Sequence, residues 1–527
     1  MLKKLATPLI KLSKIFFHKI IFLFAFLLIN VSSIFAQEKI DWSIPGKYLI
    51  CNATREYKDY WKVEYNWPII NKNWDAIAAK TIKGTKWSVL LNNNPGTYYS
   101  EIKHMQFSPN GDTLVYVGMK GANKLFRRAL SVRINKEQDE RLYDDISPTI
   151  FTPDGKNWAY KIRDDNDWYL IVNGVESKRY DSVNLHQFSP DGSSLVFKAK
   201  LNNKSFIVVD GEEGKKYDDV FAITFNPKTS EVSYWGIIDN NYYLVTGNKE
   251  INVSKQVPPV PNSILYNSTG TSFAYFVKDI SNNNYYIVQD GVYSNPYDRI
   301  KWEEAIYSKD GSTLAYPAGK DNKEFIVLNG KEEEKFDFVS SPKFSNDNFS
   351  LIYIANEGNK WFAVINRKKE KRYDMVKEVQ FSPSGNSYAY LAKLNNKWFF
   401  VRNGLESKEK YYDIYGLNYT PDGSKIYFIA INTTKTINGN KTIEYKKEQL
   451  ILENTPFGEY DKIVSVKVST DGNIAFIAKD KKGFKVVTNG IESETFDEIL
   501  SLELSPDKKR FGFFGLQNDK IYWVVTE

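Results

Sequence analysis

The chain has 527 residues, 42% of them hydrophobic and 15% aromatic, with a formal charge of +7 and one cysteine. A lone cysteine excludes an internal disulfide framework, so packing and hydrogen bonds must hold the fold. Five of the 71 basic residues and none of the 64 acidic ones fall within residues 1 to 36, which leaves +2 on the remainder; without a basic excess or a Lys/Arg stripe, the footprint of a nucleic-acid binder is absent.

At the N-terminus, Lys3, Lys4, Lys11, Lys14 and Lys19 precede an apolar run from Ile20 to Ile29, then Asn30, Ser32, Ser33 and Ala36-Gln37. This is the pattern of a cleavable export signal ending after Ala36, and the run is short of the ~20 residues a spanning helix needs. The mature chain is therefore expected to start at residue 37, to be periplasmic, extracellular or at the cell surface, and to have no transmembrane span. Cys51 lies too far past the run to carry a lipid.

Next, Lys47 to Asn52 and Tyr57 to Val63 read as strands of a partial unit, and a degenerate repeat begins near Tyr65. Eleven copies of an FSPDG-like phrase follow, starting at Phe107, Phe151, Phe188, Phe225, Tyr266, Tyr307, Phe344, Phe381, Tyr419, Val468 and Leu504, spaced 44, 37, 37, 41, 41, 37, 37, 38, 49 and 36 residues apart. A period near 40 marks a repeat array whose units cannot bury their apolar faces alone.

One unit shows the local logic. In Leu185 to Val220, a strand ending in FSP turns at Asp191-Gly192 into SLVFKA, whose alternation suits a half-buried strand. The polar link LNNK leads to the apolar run SFIVVD, a buried strand, and Asp210-Gly211 makes the next tight hairpin before a closing Tyr217-Asp218. Aromatic-Asp pairs recur at Tyr143, Tyr180, Tyr217, Tyr297, Phe336, Tyr373, Tyr412, Tyr460 and Phe496. Four antiparallel strands per period describe a β-propeller blade. These phrases resemble the TolB-type, WD-repeat-like bacterial propellers, without the N-terminal α/β domain that TolB proteins carry; the resemblance implies a fold and leaves function open.

The predicted fold is thus all-β, with about twelve four-stranded blades and closure by an N-terminal strand. Twelve exceeds the four to eight typical of one ring, so two tandem propellers are expected, residues 37–260 and 261–527, with a boundary within 255–303. Gln256 to Asn262 (QVPPVPN) reads as a linker.

Catalytic patterns are absent from the sequence. There is no GxSxG elbow, and His104 and His186, each just before an FSP turn, read as packed or solvent-facing blade residues. The SPDG aspartates read as turn formers, the aromatic-Asp carboxylates as structural acceptors, and the strand aromatics as packing groups. Asp164-Asp165-Asn166-Asp167 lacks the spacing of a dedicated calcium loop, so no metal or cofactor is expected.

The turns joining second to third strands are the variable ones: RDDND, KLNNK, KDISNNN, AGKDNK, NEGNK. Binding is expected on that face, since functional residues concentrate on loops held by rigid elements, with Asp164, Asp165, Asn166, Asn202, Asn203, Asn282, Asn283, Asn395 and Asn396 as candidates. The longest excursion, Asn432 to Glu448, is expected to be a protruding hairpin. The reading is an exported, non-enzymatic scaffold for a protein or glycan of the bacterial envelope; its alternative is a propeller hydrolase or lyase using carboxylates with or without a metal.

Overall fold

The computed structural model describes residues 42–52, 68–120, 124–131, 137–138, 143–253, 257–438 and 441–526. The expected export signal, residues 1–36, and the strand expected at Tyr57 to Val63 lie outside them. Of two compact units, Met1–Trp42 and Ser43–Glu527, the second holds every described strand.

Among the described residues there are twelve antiparallel sheets, ten of four strands and two of five. In chain order, blades 1 to 12 start at Ile69, Glu101, Asp145, Ser182, Asp219, Leu265, Arg299, Phe338, Met375, Asp413, Lys462 and Glu498. The two five-stranded sheets, blades 3 and 7, are four-stranded blades whose first strand is broken in two: Asp145–Ile146 and Ile150–Phe151 both pair with Trp158–Asp164, and Arg299–Ile300 and Ile306–Tyr307 both pair with Leu314–Lys320. Blade 4 has the predicted design, with strands Ser182–Phe188, Leu195–Leu201, Lys204–Val209 and Glu212–Glu213 in sequential order.

The second and third strands are the most buried, which is why they read as apolar runs. Each cluster of buried side chains is shared by two consecutive blades. Blades 4 and 5 join through Val196, Ile207, Tyr217 and Val220, blades 5 and 6 through Trp235, Leu244, Tyr275 and Val288, and blades 6 and 7 through Phe276, Ile287, Tyr316 and Phe325. Blade 12 meets blade 1 where Trp74 packs edge-on against Trp523 at 4.9 Å. The first strands of neighbouring blades also touch, so they line the axis of the ring.

A small residue recurs near the end of the second strands: Ala199, Gly236, Ala318, Ala355, Ala392, Ala430, Ala478 and Gly515. It makes room for the aromatic that closes the preceding blade. A Cβ on Gly236 would lie 2.4 Å from the Tyr217 ring, and one on Gly515 would lie 2.5 Å from Phe496.

Closure follows the expected scheme. Gly46–Asn52 pairs antiparallel with Lys520–Val525 as the outermost strand of blade 12, so the last blade gains its fourth strand from the N-terminal end and its C-terminal strand is not left as an edge. The predicted division into two rings is not what the packing shows. Two six-bladed rings would close blade 6 on blade 1 and blade 7 on blade 12; here the shared cores run through 5, 6 and 7 and from 12 to 1 in one circuit. The proline segment is no linker either. Val260 N–H donates to Phe276 O at 2.8 Å, Lys278 N–H donates to Pro258 O at 3.1 Å, and Pro259 bridges to Val277. Prolines 258, 259 and 261 fit because their missing N–H groups are not needed there, and the segment stands in for the first part of the inner strand of blade 6, whose remainder is Leu265–Tyr266.

Candidate functional site

The repeated motifs are structural. In blade 4, Ser189 Oγ donates to Asp191 Oδ1 at 2.7 Å and accepts from Ser194 N–H at 3.0 Å, closing the SPDG turn. Thr152 with Asp154 and Ser308 with Asp310 make the same hydroxyl-to-carboxylate bond. The aromatic-Asp carboxylates hold the next blade's second turn: Asp181 Oδ2 accepts from Asn202 N–H, Asp337 Oδ2 from Gly358 N–H and Asp374 Oδ2 from Asn395 N–H, all at 2.8 Å. One expected pair is out of step. Tyr411, not Tyr412, bridges to Trp398, and Tyr412 N–H donates to Ile431 O where the other blades use the aspartate N–H. Blade 10 needs no clasp, because its second turn is replaced by a long hairpin in which Ile426–Asn438 pairs with Lys441–Leu452. That is the protrusion expected at Asn432 to Glu448.

Most of the candidate binding residues are the corners of tight turns. Asn202 and Asn203 have φ of 52° and 62°, and Asn395 and Asn396 have 52° and 60°, so each pair forms a type I′ hairpin turn. Asp165, at φ 55°, donates its N–H to Asp144 Oδ2, and Asn166 completes that corner beside Asp164, which pairs with Asp167. Asparagine and aspartate are used here for their tolerance of positive φ. The turn in blade 6 is longer: Asp279 accepts from Ser281 N–H and from Asn282 Nδ2 at 2.8 Å, with Asn283 at φ 62° beside them. These candidates are distributed over blades 3, 4, 6 and 9, and no single site gathers them.

The histidines are blade residues. His104 occupies a β-bulge at φ 49°, and His186 Nε2 lies 3.4 Å from Ser147 Oγ. Burial, with Lys161 nearby, pushes the His186 imidazole down to about 4, so it is neutral at ordinary pH. Among the described residues no group of three His, Cys, Asp or Glu is placed to hold a metal ion.

The repeat breaks in two adjacent blades, and a groove of about 490 Å³ forms there. One wall is Pro258-Pro259-Val260-Pro261, replacing the first part of the inner strand of blade 6. The other is the inner strand of blade 7, where a 3₁₀ turn at Trp302–Glu304 interrupts the pairing after Arg299–Ile300. Tyr285 and Lys278 of blade 6 complete it, and Trp302 packs 6.3 Å from Phe276.

Beneath the groove lies Glu324, at a position where most blades place an aromatic, blade 4 has Ser205 and blade 10 has Glu448. Its Oε1 accepts from Arg299 Nε at 2.9 Å, and its Oε2 accepts from Lys301 Nζ at 2.8 Å and from Val339 N–H at 3.0 Å. Burial alone would raise the carboxyl, but Lys301, the Val339 N–H and Arg299 outweigh it and hold Glu324 below the usual range. Lys301 is fixed further over the Phe338 ring at 3.7 Å. Gly319 leaves space for Arg299: a Cβ there would lie 2.6 Å from Nε. The sequence carried a signal for this site in the two consecutive 41-residue spacings, which flank Tyr266, but the prolines read as a linker instead. A larger cleft of about 890 Å³ lies between blades 9 and 10, with Arg402 and Glu453 paired at 2.9 Å within it.

Twelve four-stranded sheets sharing cores around a closed circuit define a β-propeller. No protein-family model matches the chain, and no curated protein matches it. Among solved structures it is similar to a eukaryotic initiation factor, at 11% identity and TM-score 0.33 over 64% of this chain and 96% of the other. It is also similar to the tricorn protease, at 12% and 0.26 over 87% and 61%, and to the propeller domain of the Trilobed protease from Pyrococcus furiosus, at 10% and 0.26 over 51% and 94%. Likenesses of this strength carry no argument about function.

Proposed function

We propose that this chain is an exported, TolB-like propeller that works by binding rather than by catalysis, with the groove between blades 6 and 7 as its principal contact. The observation that carries this reading is that two departures from the repeat fall in neighbouring blades and together open a groove lined by ring side chains and cations. A rigid scaffold with one irregular, concave, partly apolar place is the usual form of a binding site. Export rests on the N-terminal segment of charged, apolar and small residues, and among the described residues no helix is long and apolar enough to cross a membrane.

The reading is tested by affinity capture from envelope extract with residues 37–527 beside the Trp302→Ala variant. A stoichiometric partner retained by the first and lost from the second supports the groove. A partner held equally by both puts binding elsewhere on the ring.

A further inference from the structure

Resting on that reading of the groove, we infer that its ligand is an acidic glycan, a chain of sugar rings bearing carboxylates. The argument starts from what the walls lack. Pro258, Pro259 and Pro261 have no N–H, and the adjacent backbone is already used, Val260 N–H by Phe276 O and Pro258 O by Lys278 N–H. An extended peptide recognised by strand addition needs a free ladder of donors and acceptors, and this wall has no free N–H to give. It offers flat, apolar ring faces instead: the pyrrolidines on one side, Tyr285 and Trp302 on the other. Such faces suit the C–H surfaces of pyranose rings.

The charges select among glycans. Lys278 and Arg299 both line the groove. Among the described residues no carboxylate lies within ion-pair distance of Lys278, whose ammonium sits 5.2 Å from the Tyr285 ring. Arg299 is oriented through Nε by Glu324 at 2.9 Å, which leaves the terminal nitrogens of its guanidinium fork for a second carboxylate. Glu303 is the one acidic lining residue and supplies an acceptor for hydroxyls. Two cations in a groove lined by rings match a uronate-bearing chain better than a neutral one.

The test is calorimetric titration of residues 37–527 with tetrasaccharides of galacturonate, glucuronate and mannuronate, each beside its carboxyl-reduced form. The expected result is binding of at least one uronate probe, weakened about tenfold or more both by carboxyl reduction and by Lys278→Glu, with Lys278→Gln intermediate and melting temperatures unchanged. Absence of binding by all acidic probes, or binding indifferent to carboxyl reduction or to Lys278→Glu, overturns the inference. A neutral glycan or a protein that binds and is lost with Trp302→Ala also overturns it, while keeping the groove as the binding site.

Discussion

Asp337 Oδ2 accepts a 2.8 Å hydrogen bond from Gly358 N–H, and through this bond the connection leaving blade 7 fixes the second turn of blade 8. The other oxygen of Asp337 takes Lys323 of blade 7 at 2.6 Å. Asp218 repeats the arrangement with Asp239 N–H and Lys204, and Asp374 repeats it with Asn395 N–H and Lys360. One carboxylate thus ties two blades.

These clasps set a pH dependence. The lysine and the turn N–H hold Asp218, Asp337 and Asp374 below the ordinary carboxylate value. A carboxyl depressed on folding contributes stability that is present above its unfolded pKa, about 4, and is lost as pH falls through the lower folded value. The melting temperature is therefore expected to be flat from pH 7 to about 5 and to fall below about pH 4. The triple variant D218N/D337N/D374N should melt lower at pH 7 and lose part of that acid-side slope in a pH series of thermal melts, the rest belonging to carboxyls such as those of the SPDG turns.

The small second-strand residues predict a packing defect. Ala392 is fully buried opposite Val376, in the core that joins blades 8 and 9. Ala392→Leu should destabilise by about 1–3 kcal/mol through overpacking, and Gly236→Ala should do so through its 2.4 Å approach to Tyr217. Ala392→Gly should cost less than Ala392→Leu. Denaturant titration at fixed pH measures all three.

Much of this was legible in the residues and some was not. The hairpins were, because Asn-Gly and Asp-Gly at fixed spacing leave few other conformations, and so was closure, because Lys47 to Asn52 had no repeat of its own. The ring division was not: blade count alone suggested two rings, whereas the answer lies in which apolar faces meet, Trp235 with Tyr275 and Trp74 with Trp523, at sequence separations no local pattern reports. Asn202, Asn203, Asn395 and Asn396 lie on variable surface turns and are also backbone corners, and polar turn residues look alike in sequence whether they bind or bend the chain. The groove escaped because it is made from the absence of a regular strand.

Glu448 gives a second stability test. It is buried at 7% exposure, and its carboxylate accepts from Ile463 N–H at 2.6 Å and from Lys462 Nζ at 2.8 Å. Glu448→Ala leaves the Ile463 donor unpaired and should cost about 1–3 kcal/mol, whereas Glu448→Gln keeps an acceptor and should cost less. Chemical denaturation of both variants separates the two.

The hairpin should be dispensable to the fold. Replacing residues 434–445 with Asn-Gly keeps the register from Ile431↔Glu448 inward and spares both Glu448 and Lys447, which pairs with Asp461. The expected outcome is a melting temperature within a few degrees of the parent. A collapse of stability would show that the ribbon is part of the core.

The groove exists only if blades 6 and 7 are neighbours in one circuit, so the most direct test is to image the particle. Class averages of purified residues 37–527 by electron microscopy should show one ring of twelve lobes. Two rings of six lobes would contradict the account, since that division separates Pro258 to Pro261 from Trp302 and removes the groove.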